Sequence, residues 1–355
     1  MAVRVGINGL GRIGRLVLRS ICDQGLMGKD IEIAAVADVS TDAAYLAYQL
    51  RHDSVHGGFA GQVSSARRSS GGAHDVLLID GRPVKVIPAA EQPALLPWKE
   101  LGVEVVIEAT GLFTGGKEAS GHLRAGARKV IITAPSKDGA KTIVMGVNEH
   151  EYDDAEHHVI SNASCTTHCL ALPLHVLVRG GVGIETGLVT AINSVTASQR
   201  VVDGFSRRDW RSGRAAGSNI IPSPTNATKL AGEIFPALRE RLSGISFRVP
   251  TTDVSVVNLV FRAARDSSIE EIDGLMREAA GTYLRGYLGY SEEELVSTDF
   301  IHDSRSSIYD SPATLLSNVK GEKRQFRLVA WYDNEWGYAG RVVDLLRHIT
   351  KKNNS

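Results

Sequence analysis

The stretch VRVGINGLGRIGR at 3–15 restricts this chain more than any other. Val3, Val5 and Ile7 alternate with Arg4 and Gly6, and glycines follow at 9, 11 and 14. Ile13, Leu16, Val17 and Ile21 then recur at helical spacing. The apolar period changes from two to 3.6 across a glycine turn, which is a strand feeding a helix. A second apolar run, IEIAAVAD at 31–38, ends on an acid. Strand, glycine turn, helix, strand is one βαβ unit, and it commits the chain to a parallel sheet covered by helices.

VEVVIEATG at 103–111 and KVIITAP at 129–135 repeat the form of an apolar strand leading into small residues. DVLLIDGRPVKVI at 75–87 carries an Asp-Gly turn and reads as a hairpin insert. SSARRSSGG at 64–72 reads as a loop. The texture changes after about residue 184. TGLVTAINSVTAS, FRVPTTDVSVVNLVFRAAR and RQFRLVAWYD are long alternating strands, SIEEIDGLMREAAGTYL is an amphipathic helix, and RVVDLLRHIT at 341–350 is a closing helix. With 355 residues the chain has room for two domains. The fold class is α/β: a Rossmann-type doubly wound parallel sheet domain, then a second domain of α+β type with an antiparallel sheet. The expected division is 1–164 for the first and 165–334 for the second, with a helix at 335–355 packing back on the first.

Lys+Arg and Asp+Glu are both 40, which argues against a nucleic-acid protein and its basic excess. The balance leaves room for a local basic groove, and RRDWRSGR at 207–214 is such a patch. The 3 cysteines argue against a disulfide framework and for a reducing compartment. No 18-residue apolar run, signal-peptide core or C-terminal Ser-Lys-Leu of peroxisome type occurs, so no membrane span is expected and the cytosol is the default.

NGLGRIGR at 8–15 fits the G-x-G-x-x-G pattern, and Asp38 closes the next strand. After Asn8, Gly9 permits the tight turn, Gly11 lets backbone approach a pyrophosphate, and the free N–H groups at Arg12–Ile13 face its charge; Gly14 completes the pattern. Asp38 can accept from a ribose diol and repels a 2′-phosphate, so NAD is favoured over NADP. The bland alternative is a plain βαβ glycine turn.

SNASCTTHCL at 161–170 raises three options. A structural zinc site needs four ligands, and Cys165, His168 and Cys169 supply three on one helical turn, so no metal is expected. Cys169 shares a face with Leu172 and Val176 and suits the core. Cys165 follows Asn162-Ala163-Ser164, a capping-like run at a helix start. There the helix dipole is expected to lower a thiol pKa, which makes Cys165 the nucleophile candidate, reacting fast with alkylating agents at pH 7.

These motifs, with ATGLFT at 109–114, GRAAGSNIIPS at 213–223, FRVPT at 247–251 and WYDNEWGY at 331–338, resemble phosphorylating glyceraldehyde-3-phosphate dehydrogenases. PALLPWKELGV and EELVSTDFIHDSRSSIYD resemble the family's kinetoplastid glycosomal branch. The resemblance implies a thiohemiacetal on Cys165, oxidation by NAD, and release by inorganic phosphate as an acyl phosphate. It implies Asn334 and Tyr338 as the pair orienting the nicotinamide, and Thr110, Gly111 and Thr133 as lining of the cofactor cleft. Thr196 and Arg248 match one phosphate pocket; Ser164, Thr166 and Thr225 match the other, with Arg214 between them. It further implies a homotetramer, its 199–221 loop keeping Asp203, Gly204, Trp210, Arg211 and Arg214.

The resemblance breaks at the acid–base group. The family's catalytic histidine is Asn193 here, and its neighbouring aromatic is Val195, expected on the same side of one strand. Asn226 stands for a glycine and His168 for an asparagine. Pro173 sits one place late in the nucleophile helix, where it can shift the first turn. Asn193 can donate a hydrogen bond but cannot act as base, a loss of ~10²–10⁴-fold in rate. His168, three residues from Cys165, is either a relocated base or a structural substitute. Three readings follow: a slow dehydrogenase of glyceraldehyde 3-phosphate, a silent NAD-binding partner in mixed tetramers with an active paralogue, and, least supported, a nucleic-acid module.

Overall fold

The structure, a computed structural model, describes residues 2–67, 75–207, 209–317 and 319–351. The expected loop at 64–72 runs beyond the described residues after Arg67, as do Arg208 of the basic patch and 352–355 of the expected final helix. Two compact units form: Met1–Ile143 with Glu149–Ala163 and Ala339–Ser355, and Val144–Asn148 with Ser164–Tyr338.

In the first unit β1 (Val3–Asn8), α1 (Arg12–Asp23) and β2 (Ile31–Asp38) make the expected βαβ element. After them come α2 (Ala43–Arg51), β3 (Val63–Ala66), β4 (Val76–Ile79), β5 (Arg82–Pro88) and β6 (Val105–Glu108). Short helices α3 (Gly116–Ala119) and α4 (Gly121–Arg124) precede β7 (Lys129–Ile132), β8 (Lys141–Thr142) and β9 (Val159–Ser161). Among the described residues the strands order as β3-β4-β5-β2-β1-β6-β7-β9-β8. All pairings from β5 through β8 are parallel, while β3, β4 and β5 pair antiparallel. Asp80 and Gly81 both take positive φ (49° and 76°), the conformation that a two-residue hairpin turn requires, as the Asp-Gly pair predicts. Chain order reverses between β1 and β6, so their carboxyl ends open the crevice where such sheets bind ligands.

The second unit contains α5 (Cys165–Arg179), β10 (Ile184–Asn193), β11 (Ile221–Ser223), α6 (Ala227–Ile234), β12 (Leu242–Arg248), β13 (Ser255–Ala263) and α7 (Ile269–Gly281). It continues with β14 (Leu288–Ser291), β15 (Ser307–Asp310), β16 (Leu315–Leu316) and β17 (Gln325–Tyr332). Helix α8 (Trp336–Thr350) starts in this unit and passes to the other at Ala339. The sheet runs β11-β12-β10-β13-β17-β15-β14 with β16 on β17. It is mainly antiparallel, but β10/β12 and β14/β15 are parallel pairs. The run 247–265, read as continuous strand, is two strands: chain leaves β12 at Arg248, passes Pro250, and re-enters at Ser255 after Val254 at φ +63°. No helix of the described residues is long and apolar enough to cross a membrane.

Candidate functional site

In the first unit the glycines pack as their spacing demands. Gly9 has φ +94°, and a Cβ on Gly14 would lie 2.0 Å from the Gly9 carbonyl oxygen. Around Gly11 a Cβ would meet nothing within 4 Å, and Gly11 caps α1 with no side chain. The first N–H groups of a long helix thus face an uncovered surface, which fits a pyrophosphate. Asp38 is half-buried and takes the Leu10 and Ser40 amides at 2.7 and 3.0 Å. These bonds tether the glycine loop to β2 while leaving further lone pairs for a diol. Arg12 pairs with Asp53, whose carboxyl falls to about 2; burial opposes this, but two backbone N–H bonds and the Arg12 charge prevail. Ile13 is half-buried in the first turn of α1, and Gly111 has φ +71°. Asn8, Thr110 and Thr133 all bond to one residue that the sequence reading passed over, Glu108. The residues fit the dinucleotide.

In the second unit Cys165 is the first residue of α5 and Ser164 is its cap, accepting the Thr167 amide at 3.1 Å. Ala163 enters that cap at φ +50°, unusual for a residue with a Cβ. Pro173 lies inside α5, and the helix runs unbroken with its first turn capped by Ser164. Cys169 is buried against Ser307 and the Ala330 carbonyl.

Cys165 departs from expectation. It is half-buried, and desolvation raises its thiol above the ordinary value; the Arg248 charge and the Thr166 N–H and hydroxyl pull it back without overcoming the burial. The helix start lowers the pKa of a thiol, but here burial outweighs it. Alkylation of Cys165 is therefore expected to be slow at pH 7 and to climb beyond about pH 8.5, the usual thiol range. A pH series of labelling followed by mass spectrometry checks this; a plateau reached by pH 7 would restore the depressed thiol.

Beside Cys165 runs a buried hydrogen-bonded chain. The Thr166 hydroxyl meets the Tyr332 hydroxyl at 2.8 Å, Tyr332 donates to Asn193 Oδ1 at 2.7 Å, and Asn193 Nδ2 donates to Ser246 Oγ at 3.2 Å. Burial, reinforced by the two nearby thiols, holds Tyr332 well above the ordinary phenol value, so it stays a donor. Tyr332 and Ser246 were not singled out from sequence; their position opposite Asn193 arises only from the β17 and β12 pairings. Asn193 ends β10 and pairs with Arg248 in register. Because β10 stops there, Val195 is not on the strand at all.

Arg248 Nη1 donates to the Ser194 carbonyl at 2.9 Å, while its buried Nε has no hydrogen-bond partner among the described residues. An arginine with unused donors suits an anion. Thr196, exposed, bonds Gln199 and Ser198. Arg214 is exposed and paired to Asp203 at 3.0 Å; Thr225 accepts the Ala227 amide, and Asn226 precedes α6 without capping it. Asn334 Oδ1 accepts from Ser194 and Ser255 at 2.9 and 2.7 Å, leaving its amide hydrogens to point elsewhere. His168 is buried with its ring edge-on to Tyr338 at 6.0 Å, and its amide bonds the Ser164 carbonyl.

Residues 3–116 match the family model described as glyceraldehyde 3-phosphate dehydrogenase, NAD binding domain, and 164–334 match the C-terminal domain of the same family. The chain is 56% identical to the glycosomal glyceraldehyde-3-phosphate dehydrogenase of Crithidia fasciculata, covering 99% of this chain and 98% of that one. It is 54% identical to the enzyme of Treponema pallidum, over 99% and 100%, and 47% to the cytosolic enzyme of Chondrus crispus, over 99% of each. The glycine turn before α1 and the capped cysteine helix thus sit in a chain alike along nearly its whole length: it belongs to the glyceraldehyde-3-phosphate dehydrogenase family, and its cofactor is NAD.

Proposed function

We propose that this chain is an NAD-dependent phosphorylating glyceraldehyde-3-phosphate dehydrogenase whose turnover is reduced because Asn193 stands where the family carries its acid–base histidine. The observation that carries the reading is Cys165 at the capped start of α5 with the Arg248 charge upon it. The cytosolic relative supports a glycolytic role in the cytosol.

Cys165, as thiolate, attacks the aldehyde carbon of glyceraldehyde 3-phosphate and leaves a thiohemiacetal oxyanion. Asn193 retains one Nδ2 hydrogen beyond its Ser246 bond, enough to steady that oxyanion but not to take the thiol proton. When bound, NAD would supply the acceptor for the hydride that the aldehyde carbon gives up. The α1 N-terminus would hold its pyrophosphate, Asp38 its ribose, Thr110, Gly111 and Thr133 its cleft, and Asn334 Nδ2 with Tyr338 its carboxamide end. Arg248 and Thr196 anchor the substrate phosphate. Ser164, Thr166, Thr225 and Arg214 receive inorganic phosphate, whose oxygen displaces Cys165 from the thioester; Arg214 must share its bond to Asp203 to do so. His168 acts as a structural neighbour of Tyr338, not a base, which its edge-on packing supports. Exposed Trp210, Val201, Phe205 and Leu188 in the second unit support a homotetramer.

One observation favours a second reading, a silent partner subunit in mixed tetramers: Asn193 is already engaged at both amide ends. The deciding assay is NADH formation from glyceraldehyde 3-phosphate, NAD and phosphate. Slow but measurable turnover with a homotetramer on sizing is expected. No turnover in a chain that binds NAD would leave the partner reading standing.

A further inference from the structure

Glu108 closes β6 and is the register partner of Asn8 in β1. It is 2% exposed. One carboxylate oxygen accepts Asn8 Nδ2 at 2.6 Å and His122 Nε2 at 2.9 Å. The other accepts the Thr110 amide at 2.9 Å and the Thr110 hydroxyl. Its backbone carbonyl accepts the amide and the hydroxyl of Thr133, each at 3.0 Å. The Thr110 hydroxyl in turn takes the Leu112 amide at 3.0 Å, closing the turn around Gly111. Asn8, Thr110 and Thr133, from three separate strand ends, therefore hang on one side chain and its carbonyl.

His122 is fully buried, and its Nδ1 accepts the Trp98 indole N–H at 2.9 Å. Indole only donates, so Nδ1 carries no proton and Nε2–H must be the donor to Glu108. Trp98 is itself fully buried, and a Cβ on Gly6 of β1 would sit 2.8 Å from its ring. The tautomer of His122 is thereby set from the sheet's own core. Four donors converge on the two carboxylate oxygens, which matches an ionised carboxylate and no other group of that shape.

We propose that Glu108, oriented by His122 and Trp98, is a positioning residue that holds Asn8, Thr110 and Thr133 for NAD. The inference rests on the dinucleotide reading of this unit. Glu108→Gln keeps the shape but turns one acceptor into a donor. Its amide hydrogens must then face either Asn8 and His122 or Thr110, all donors, and His122 cannot switch tautomer while Trp98 occupies Nδ1.

The test measures NAD affinity of the full chain by calorimetry, and thermal unfolding without NAD, for wild type, Glu108→Gln, Trp98→Phe and the double variant. Glu108→Gln is expected to weaken NAD at least tenfold and Trp98→Phe less than threefold. In the double variant His122 is free to accept from the glutamine, and affinity recovers at least threefold over Glu108→Gln. A purely structural role would lower the unfolding temperature and leave affinity within twofold, which overturns the inference. Should Glu108→Gln not fold, Glu108→Asp must weaken NAD at least threefold, or the inference falls. Failure of the wild type to bind NAD defeats the dinucleotide reading itself; binding by wild type with all variants alike defeats this inference alone.

Discussion

Asn193→His is expected to raise NADH formation from glyceraldehyde 3-phosphate by about 10²–10⁴-fold, the range that a positioned acid–base group contributes. The side chain at 193 ends β10, is 5% exposed and faces two hydroxyls, Tyr332 at 2.7 Å and Ser246 at 3.2 Å. An imidazole there has one nitrogen for each kind of partner, whereas the amide has nothing that takes a proton at neutral pH. Two further signs distinguish a restored base from a general improvement. The pH–rate profile of the variant should gain an acid limb near the ordinary imidazole value, about 6.5. Its Cys165 labelling should move to lower pH, because an imidazolium favours the thiolate that burial now disfavours. His168→Asn should change neither. If the variant binds NAD normally and its rate stays flat, more than one group has been lost from the pocket, and the partner reading gains.

How far this site could be read from residues alone differs from part to part. The βαβ element was legible because its cues are local: alternation, glycines at fixed offsets and an acid ending a strand all act within one turn or pleat. Gly14 lies against the Gly9 carbonyl for that reason. The helix start at Cys165 was legible likewise, since a serine cap bonds within its own turn. What failed depends on groups distant in sequence. The Cys165 thiol departs from expectation because its burial is a tertiary effect that no spacing reveals. Glu108 was overlooked because an acid ending the apolar run VEVVIE looks like a strand reaching solvent. Its four donors come from positions 8, 110 and 122. The 247–265 run was read as one strand because its alternation survives Pro250, although the backbone reverses near Val254.

Cys165→Ser is expected to remove NADH formation altogether, about 10³-fold or more below wild type, with NAD affinity and unfolding temperature unchanged. The size of the effect follows from the same asparagine. A serine hydroxyl ionises far less readily than a thiol and becomes a nucleophile only when a base takes its proton. Tyr332 stays protonated and the Asn193 amide takes no proton at neutral pH, so neither of these two groups does this. The thiol escapes that requirement because alkaline conditions alone populate its anion. The chain's other thiols serve as an internal control. Burial pushes Cys22 up to about 12 and pushes Cys169 higher still, so both remain inert where Cys165 reacts. Mass spectrometry after labelling at mildly alkaline pH should find one adduct per wild-type chain and none on Cys165→Ser. Turnover and labelling should then rise together with pH in the wild type, since both count the same thiolate. Turnover that survives in Cys165→Ser would move the chemistry off α5, and Asn193→His would lose its meaning as a repair.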